Sequence, residues 1–379
     1  MSRTTRARLP VGLLGMIALV ASAESCLARR PIESATKMSL AWRRSGEAAR
    51  TDAIGADILC FGDSLMKLGV QPHVLEAGLQ QSAYNLAVPG GQGPSTYFLL
   101  RTSLEAGACP KAIVVNFHEN LLAIAPRFSG HALPELLNIR DWIDLALHAR
   151  DPDLSASTAI GLLLPSYRGR TGWREAVVSA LRGEPREMLG DLIALDRNWQ
   201  VNAGAQVASP LANHPFKSEF DEVAGPTPER ARWAPHPVNA AYVRRFLELT
   251  QLRGIKVYWV LPPTSPEWTA RRAKIGTNEA IDQYLLKTLQ EYPDVTVVDG
   301  RATGFVAEVF RDETHLDGRG ATVLSQGLAS LITEQHDAIK KPWHWICLPR
   351  YEEVGIDITL EDVNRSKAVI ASRLGRVRR

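Results

Sequence analysis

Short apolar runs alternate with amphipathic helix patterns along most of the chain, and this alternation constrains the fold more than any other feature of the sequence. Strands that alternate with helices favour a parallel sheet with helices on both faces. We therefore predict an α/β fold, a three-layer α/β/α sandwich around a five-stranded parallel sheet. The predicted strands are Asp57–Phe61, Ser82–Ala87, Ala112–Asn116, Lys256–Leu261 and Val295–Val298.

Helical patterns lie between and after these strands. The sequence predicts helices over Leu65–Gln80, Pro94–Ala106, Ala240–Arg253, Glu279–Tyr292 and Gly318–Gln335. We place the sheet and its helices in one domain, residues 50–336, and predict that residues 337–379 form a C-terminal extension outside the sheet.

The regular interval between predicted strands is interrupted at one place. Roughly 140 residues separate the third strand from the fourth, far more than one helical crossover needs. We therefore predict a large insertion after the third strand, at about 121–240, with helices in Leu133–Ala149 and Arg174–Leu181. It is either a lid over one end of the sheet or an excursion on the surface.

The first 30 residues have the pattern of a targeting segment. Three arginines precede the apolar run that starts at Val11, and the run closes with the small residues Ala21, Ser22 and Ala23. This pattern is typical of a secretory signal peptide, and an uncleaved N-terminal anchor is the alternative. We therefore expect an exported protein, periplasmic, extracellular or at the cell surface, whose membrane contact is made only by an uncleaved N-terminal segment.

The charge of the chain is concentrated at its ends. Residues 1–30 hold five arginines against one glutamate, and the last seven residues hold four arginines. Because the whole chain has a formal net charge of +3, the residues between the ends carry −5. This acidic body shows no basic stripe and no nucleic-acid-binding motif, so we expect no nucleic-acid partner. Four scattered cysteines match no zinc pattern, and we predict neither a metal nor a cofactor.

Ser64 lies where the first predicted strand passes into a helix, in the stretch Phe61-Gly62-Asp63-Ser64. Gly62 permits a tight turn, and a helix N-terminus offers free N–H groups to a developing negative charge. Ligands bind at the carboxyl ends of parallel strands, so the turn can present Ser64 as a nucleophile. An ordinary helix cap by Asp63 or Ser64 is the alternative.

A base for the serine is available near the end of the domain. Asp312 and His315 stand three positions apart before the last predicted helix, so the carboxylate can orient the imidazole. Between them and Ser64, the second strand is followed by Gly90 and Gly91, where backbone N–H groups can approach an oxyanion closely. The alternatives are that Asp312 and His315 form a capping cluster, and that Gly90 and Gly91 form an ordinary tight turn.

The order of these motifs resembles the SGNH or GDSL hydrolase superfamily. The resemblance rests on Gly62-Asp63-Ser64-Leu65, on Asn85 to Gly90 after the second strand, and on Asp312 to His315 near the end. It implies a flavodoxin-like fold in which Ser64, His315 and Asp312 form a catalytic triad. The insertion and both tails lie outside the resemblance.

The family's oxyanion hole implies three donors in this chain. They are the Ser64 N–H, the Gly90 N–H and an asparagine side chain that follows the third strand. The sequence departs from the family at this third block, because Phe117 or His118 stands where the family has a glycine. Asn120 is the candidate donor and Asn116 the alternative, while His118 and Glu119 are either loop residues or substrate contacts.

These features together predict a serine-dependent acyl-ester hydrolase that acts on an O-acylated carbohydrate or another small ester. Two alternatives stay open. One is an O-acyltransferase that passes the acyl group to a polysaccharide hydroxyl, as the resemblance to polysaccharide-modifying SGNH-like enzymes implies. The other is a catalytically silent envelope protein that keeps the fold for binding.

Overall fold

The computed structural model describes residues 11–28, 35–126, 131–183, 187–211, 233–275, 277–337, 345–352 and 358–377. Its strands are β1 Ile58–Phe61, β2 Ala83–Asn85, β3 Ala112–Val115, β4 Lys256–Leu261, β5 Val295–Asp299 and β6 Trp345–Cys347. All of them pair in parallel in one sheet, in the order β2-β1-β3-β4-β5-β6. The predicted α/β fold with a parallel sheet is confirmed.

Helices connect and cover these strands. In chain order they are α1 Val11–Ala28, α2 Lys37–Ala48, α3 Ser64–Gly69, α4 Pro72–Leu79, α5 Gly93–Glu105, α6 Glu119–Ala123, α7 Ile139–Ala149, α8 Pro152–Leu163, α9 Pro165–Arg168, α10 Arg170–Leu181, α11 Glu187–Val201, α12 Pro237–Leu252, α13 Pro266–Ile275, α14 Thr277–Glu291, α15 Gly318–Asp337 and α16 Val363–Val377. Short 3-10 turns lie at Leu133–Glu135 and Ala307–Val309.

The sheet separates two apolar cores. Alternate residues of a strand point to opposite faces, so Leu59 and Phe61 lie in one core while Ile58 and Cys60 lie in the other. The first core is closed by α2, α5, α12 and α14, and the second by α3, α4 and α15. Helix α2, which begins before the predicted domain, is anchored through Trp42, whose Nε1 donates to the Pro89 carbonyl at 2.8 Å.

The prediction of five strands is wrong, because the segment expected to lie outside the sheet supplies a sixth. Strand β6 pairs with β5 in the register Val297 to Trp345 and Asp299 to Cys347. It covers an edge of β5 whose backbone N–H and C=O groups would otherwise need other partners. With only three residues, β6 is too short for its apolar pattern to reveal a strand.

The helix predicted over Leu65–Gln80 is also wrong in detail, because it divides into α3 and α4. Pro72 has no N–H to donate, and the residue before a proline is pushed out of the helical region. Gln71 is accordingly extended, and its N–H donates to Ser325 Oγ at 2.8 Å. The break directs α3 and α4 separately onto α15.

The insertion is largely helical, from α6 to α11, with residues 127–130, 184–186 and 212–232 outside the described part. Helix α10 begins at Arg170, four residues before the predicted start. The stretch predicted over Leu133–Ala149 contains a 3-10 turn and then α7, whose start is fixed by a reciprocal capping box between Asn138 and Asp141.

The chain that follows α11 connects the insertion to the rest of the fold. Val207 O accepts the Val363 N–H at 3.0 Å, and Ala208 O accepts the Gly318 N–H at 2.9 Å. Ser209 O accepts Arg311 Nη1 at 2.9 Å. This segment, residues 207–209, therefore holds together the C-terminal helix, the start of α15 and the loop before it.

Residues 11–28 of the predicted targeting segment form α1, while residues 1–10, 29 and 30 lie outside the described part. In the ranges that the structure describes, no helix has both the length and the apolarity needed to cross a membrane.

Candidate active site

Ser64 begins α3 directly after the turn that follows β1, at the carboxyl edge of the sheet. The turn passes through Gly62, whose φ is +138°. A Cβ at Gly62 would lie 2.6 Å from the Asn116 carbonyl oxygen, so a larger residue needs a backbone shift. Asp63 caps α3, because its carboxylate accepts the Leu65 N–H at 2.9 Å. Ser64 is left partly exposed at the helix N-terminus.

His315 and Asp312 lie in the turn before α15. One carboxylate oxygen of Asp312 accepts the backbone N–H groups of Thr314 and His315, at 2.9 and 2.8 Å. The other oxygen lies 2.7 Å from His315 Nδ1. His315 Nε2 in turn lies 2.7 Å from Ser64 Oγ. The three residues singled out in the sequence are therefore hydrogen-bonded in series.

The electrostatics of these three hydrogen-bonded residues favour a histidine that can be protonated beside a carboxylate that is ionised. Burial lowers the pKa of His315, but the hydrogen bond and the charge of Asp312 outweigh burial, so that the pKa is raised overall. Burial also opposes ionisation of Asp312, yet the hydrogen bond from His315 and the two backbone N–H groups lower its pKa to about 2. Asp312 is thus ionised at neutral pH and can stabilise an imidazolium.

Asp63 is a second carboxylate at the site, and it is almost fully buried. Burial raises its pKa, while the charge of His118, the Leu65 N–H and the charge of His315 act in the opposite direction. Asp63 also contributes to the raised pKa of His315. The sequence indicated a capping role for this residue, and the structure adds an electrostatic one.

The glycine turn after β2 packs directly against the turn that holds the serine. The Val88 N–H donates to the Gly62 carbonyl at 3.0 Å, and a Cβ at Gly91 would lie 2.4 Å from the same oxygen. Gly90 has a φ of +66°, which its lack of a side chain permits. Within the described part of the chain, neither the Gly90 N–H nor the Ser64 N–H has a hydrogen-bond acceptor. Both are available as donors.

The two candidate asparagines are placed very differently. Asn116 is buried, and its Nδ2 donates to the Val260 carbonyl at 2.9 Å, which ties the end of β3 to β4. Asn120 is exposed on the first turn of α6. The Asn116 amide is therefore engaged with the backbone, whereas the Asn120 side chain faces solvent.

His118 and Glu119 have defined roles at the start of α6. His118 Nδ1 accepts the Asn120 N–H at 3.2 Å, which places the hydrogen of the neutral ring on Nε2. Glu119 is buried and forms an ion pair with Arg272 of α13 at 2.6 Å. Burial alone would raise the pKa of Glu119, but His118 and Arg272 lower it. No sequence pattern indicated Arg272, although its helix follows β4 at the same edge of the sheet.

No family model matches the chain, and no curated protein is significantly similar to it.

We expect Gly62→Ala to reduce the free energy of unfolding by about 3 kcal/mol, because the new Cβ meets a backbone oxygen and the residue is held at positive φ. Gly107→Ala is the matched control, since Gly107 also has a positive φ, +105°, but open space around it. The control should cost about 1 kcal/mol. Urea unfolding measures both, and equal losses would contradict the importance of the close approach at Gly62.

Proposed function

We propose that this chain is a serine-dependent acyl-ester hydrolase in which Ser64 is the nucleophile. The observation that carries the proposal is the pair of 2.7 Å hydrogen bonds that connects Asp312 to His315 and His315 to Ser64. A serine hydroxyl becomes a good nucleophile when a neighbouring base removes its proton and a third group orients that base. This geometry supplies both.

In the first half of the reaction, His315 Nε2 takes the proton from Ser64 Oγ as the oxygen attacks the ester carbonyl carbon. The Ser64 and Gly90 N–H groups donate to the oxyanion that forms, and Asn120 provides the third donor. The tetrahedral intermediate then breaks its bond to the alcohol oxygen. His315 gives its proton to that leaving oxygen, and the acyl group stays on Ser64.

In the second half, His315 accepts a proton from a water molecule that attacks the acyl-enzyme. Collapse of this second tetrahedral intermediate breaks the bond to Ser64 Oγ, which recovers its proton from His315. The carboxylic acid leaves, and the site returns to its starting state. Asp312 keeps His315 in the required tautomer throughout and stabilises each imidazolium.

The proposal also includes the family of the protein, the class of its substrate and its export. A parallel sheet with Ser64 at its carboxyl edge and the Asp312 and His315 pair before the last sheet-covering helix supports membership of the SGNH or GDSL hydrolases. We propose an O-acylated carbohydrate or another small ester as substrate, and export directed by residues 1–30. The proposed chemistry needs neither a metal nor a cofactor.

The proposal is tested with p-nitrophenyl acetate and a fluorophosphonate probe. We expect Ser64→Ala to lower ester turnover by about 10⁴-fold or more and to abolish labelling, because no other group replaces the nucleophile. Ser82→Ala is the matched control, since Ser82 is exposed just before β2, at the opposite edge of the sheet. Equal turnover by Ser64→Ala and the unmodified protein would disprove the proposal for this ester, and mass spectrometry identifies the labelled residue. Acyl transfer to an added oligosaccharide that exceeds hydrolysis would assign the protein as a transferase instead.

The pH dependence of the reaction follows from the raised pKa of His315. The reaction needs the neutral imidazole, so we expect kcat/KM to fall as the pH decreases through this pKa, with a midpoint above 6.5. Asp312→Asn removes the carboxylate that stabilises the imidazolium. It should shift the midpoint to lower pH and reduce kcat by about 10⁴-fold. An unchanged midpoint in this variant would show that Asp312 does not control His315.

The two asparagines should respond differently to substitution. Asn116→Ala leaves the buried Val260 carbonyl without its donor, so the free energy of unfolding should fall by about 1–3 kcal/mol. Asn120→Ala should leave the free energy of unfolding unchanged and lower kcat by about 10²-fold. If Asn120→Ala keeps full activity while His118→Leu loses it, the third oxyanion donor is His118 Nε2 rather than Asn120.

A further inference from the structure

A group of large apolar side chains is exposed on three helices of the insertion. We call it the insertion patch, and it consists of Ile160, Leu163, Leu164, Val177, Val178 and Leu181. Leu163 and Leu181 are the most exposed members, at 70% and 83%. The patch belongs to α8, to the residue before α9 and to α10, and α9 packs against both of the other helices. Large exposed apolar side chains grouped on neighbouring helices mark an interaction site in a folded protein.

Helix α10 has the residue pattern of a helix that lies at an interface. Trp173, Val177 and Leu181 follow one another at four-residue spacing, so they share one face. Arg170 and Arg174 have the same spacing and form an exposed row beside that face. An apolar stripe with tryptophan and leucine, bordered by arginine, is typical of helices that bind the boundary between lipid headgroups and acyl chains.

Arginines are concentrated on the α9 and α10 side of the patch, although the body of the chain is acidic. Residues 165–183 contain four arginines and one acidic residue, Glu175. A cavity of about 520 Å³ opens beside α9 and α10, and Arg168 and Arg170 line it together with Tyr167, Ser157 and Asp153. Arg168 is partly compensated by Glu135, at 3.6 Å. Arg170 lies in both the cavity and the basic row, so it can reach an anionic headgroup while the patch contacts the acyl chains.

Helix α1 packs against α9, next to the insertion patch. The Ser166 N–H of α9 donates to the Glu24 carboxylate of α1 at 2.8 Å, and the Ser166 hydroxyl donates to the other oxygen of the same carboxylate. The apolar side chains of α1 are exposed on all its sides. The insertion patch stays exposed with α1 in this position, so α1 does not cover it.

We propose that the insertion patch and its arginines form a docking surface for an anionic phospholipid bilayer. The sequence predicts membrane contact by the N-terminal segment alone, whereas this second surface lies in the folded body. A second copy of the chain fits the patch less well. A symmetric contact between two identical surfaces would bring two copies of the arginine row into one interface, where like charges repel.

The test uses the full chain and vesicles of phosphatidylcholine and phosphatidylglycerol in equal parts, with binding measured by co-sedimentation. We expect Leu163→Asp and Leu181→Asp each to weaken binding on the order of tenfold, because a carboxylate replaces a side chain that enters the acyl region. Leu252→Asp is the matched control. Leu252 is 81% exposed at the end of α12, which is not part of the patch, and its replacement should leave binding unchanged.

The arginines are tested separately. Arg170→Gln and Arg174→Gln should each weaken binding to the anionic vesicles by about fivefold and leave binding to pure phosphatidylcholine vesicles unchanged. Added salt should reduce the difference, since it screens the attraction between exposed charges.

Three results would overturn the proposal. The first is unchanged binding of both leucine variants, which would mean that α1 alone contacts the bilayer. The second is an equal loss in Leu252→Asp, which would show an unspecific effect of charge. The third is a change in oligomeric state, measured by light scattering, without a change in vesicle binding. That result would assign the patch to a contact between copies of the chain.

Discussion

Three loops meet at the backbone of Gly62, where there is no space for a side chain. The Asn116 carbonyl approaches from the loop after β3, and Val88 and Gly91 approach from the turn after β2. These contacts between main-chain groups place Ser64, the glycine turn and the start of α6 at one edge of the sheet. Because packed main chain cannot yield as a flexible side chain can, the positions of all three depend on this one residue.

The charged groups around the site are compensated in different ways. Glu119 has Arg272 as a direct partner, and Asp312 has His315. Asp63 has a backbone N–H and lies near two imidazoles. Protonation of His315 therefore stabilises the ionised form of Asp63, so the titrations of the two groups are linked. The charge state of the proposed base depends on a carboxylate that caps the helix of the proposed nucleophile.

Lys67, one turn further along α3, is another buried ionisable residue near the site. Its Nζ atom is buried, donates to Ser45 Oγ at 3.4 Å and lies 5.4 Å from the centre of the Trp199 ring. Burial lowers its pKa to about 7. A neutral amine can stay buried where an ammonium would require a carboxylate. No local pattern in the sequence shows that a lysine at this position of the helix is buried rather than exposed.

The parts of the structure that could be predicted are those whose signal is local. Gly62 to Ser64 and the Asp312 and His315 pair are short patterns within one turn, and the apolar runs of β1, β3 and β4 identify the sheet. The pairing of β6 with β5 and the ion pair of Glu119 with Arg272 depend on contacts between distant segments. The break at Pro72 had a local signal, the proline itself, but the apolar pattern on both sides concealed it.

The hydrogen bond between Ser64 and His315 joins residues 251 positions apart. The loop that carries His315 is held through Arg311 by Ser209, and the same segment receives Val363 from near the C-terminus. A chain still emerging from the ribosome has the turn around Ser64 long before it has these partners. Until the last part of the sequence folds back onto the first strand, the proposed nucleophile is an ordinary alcohol. The hydroxyl therefore meets its proposed base only when the tertiary structure is complete.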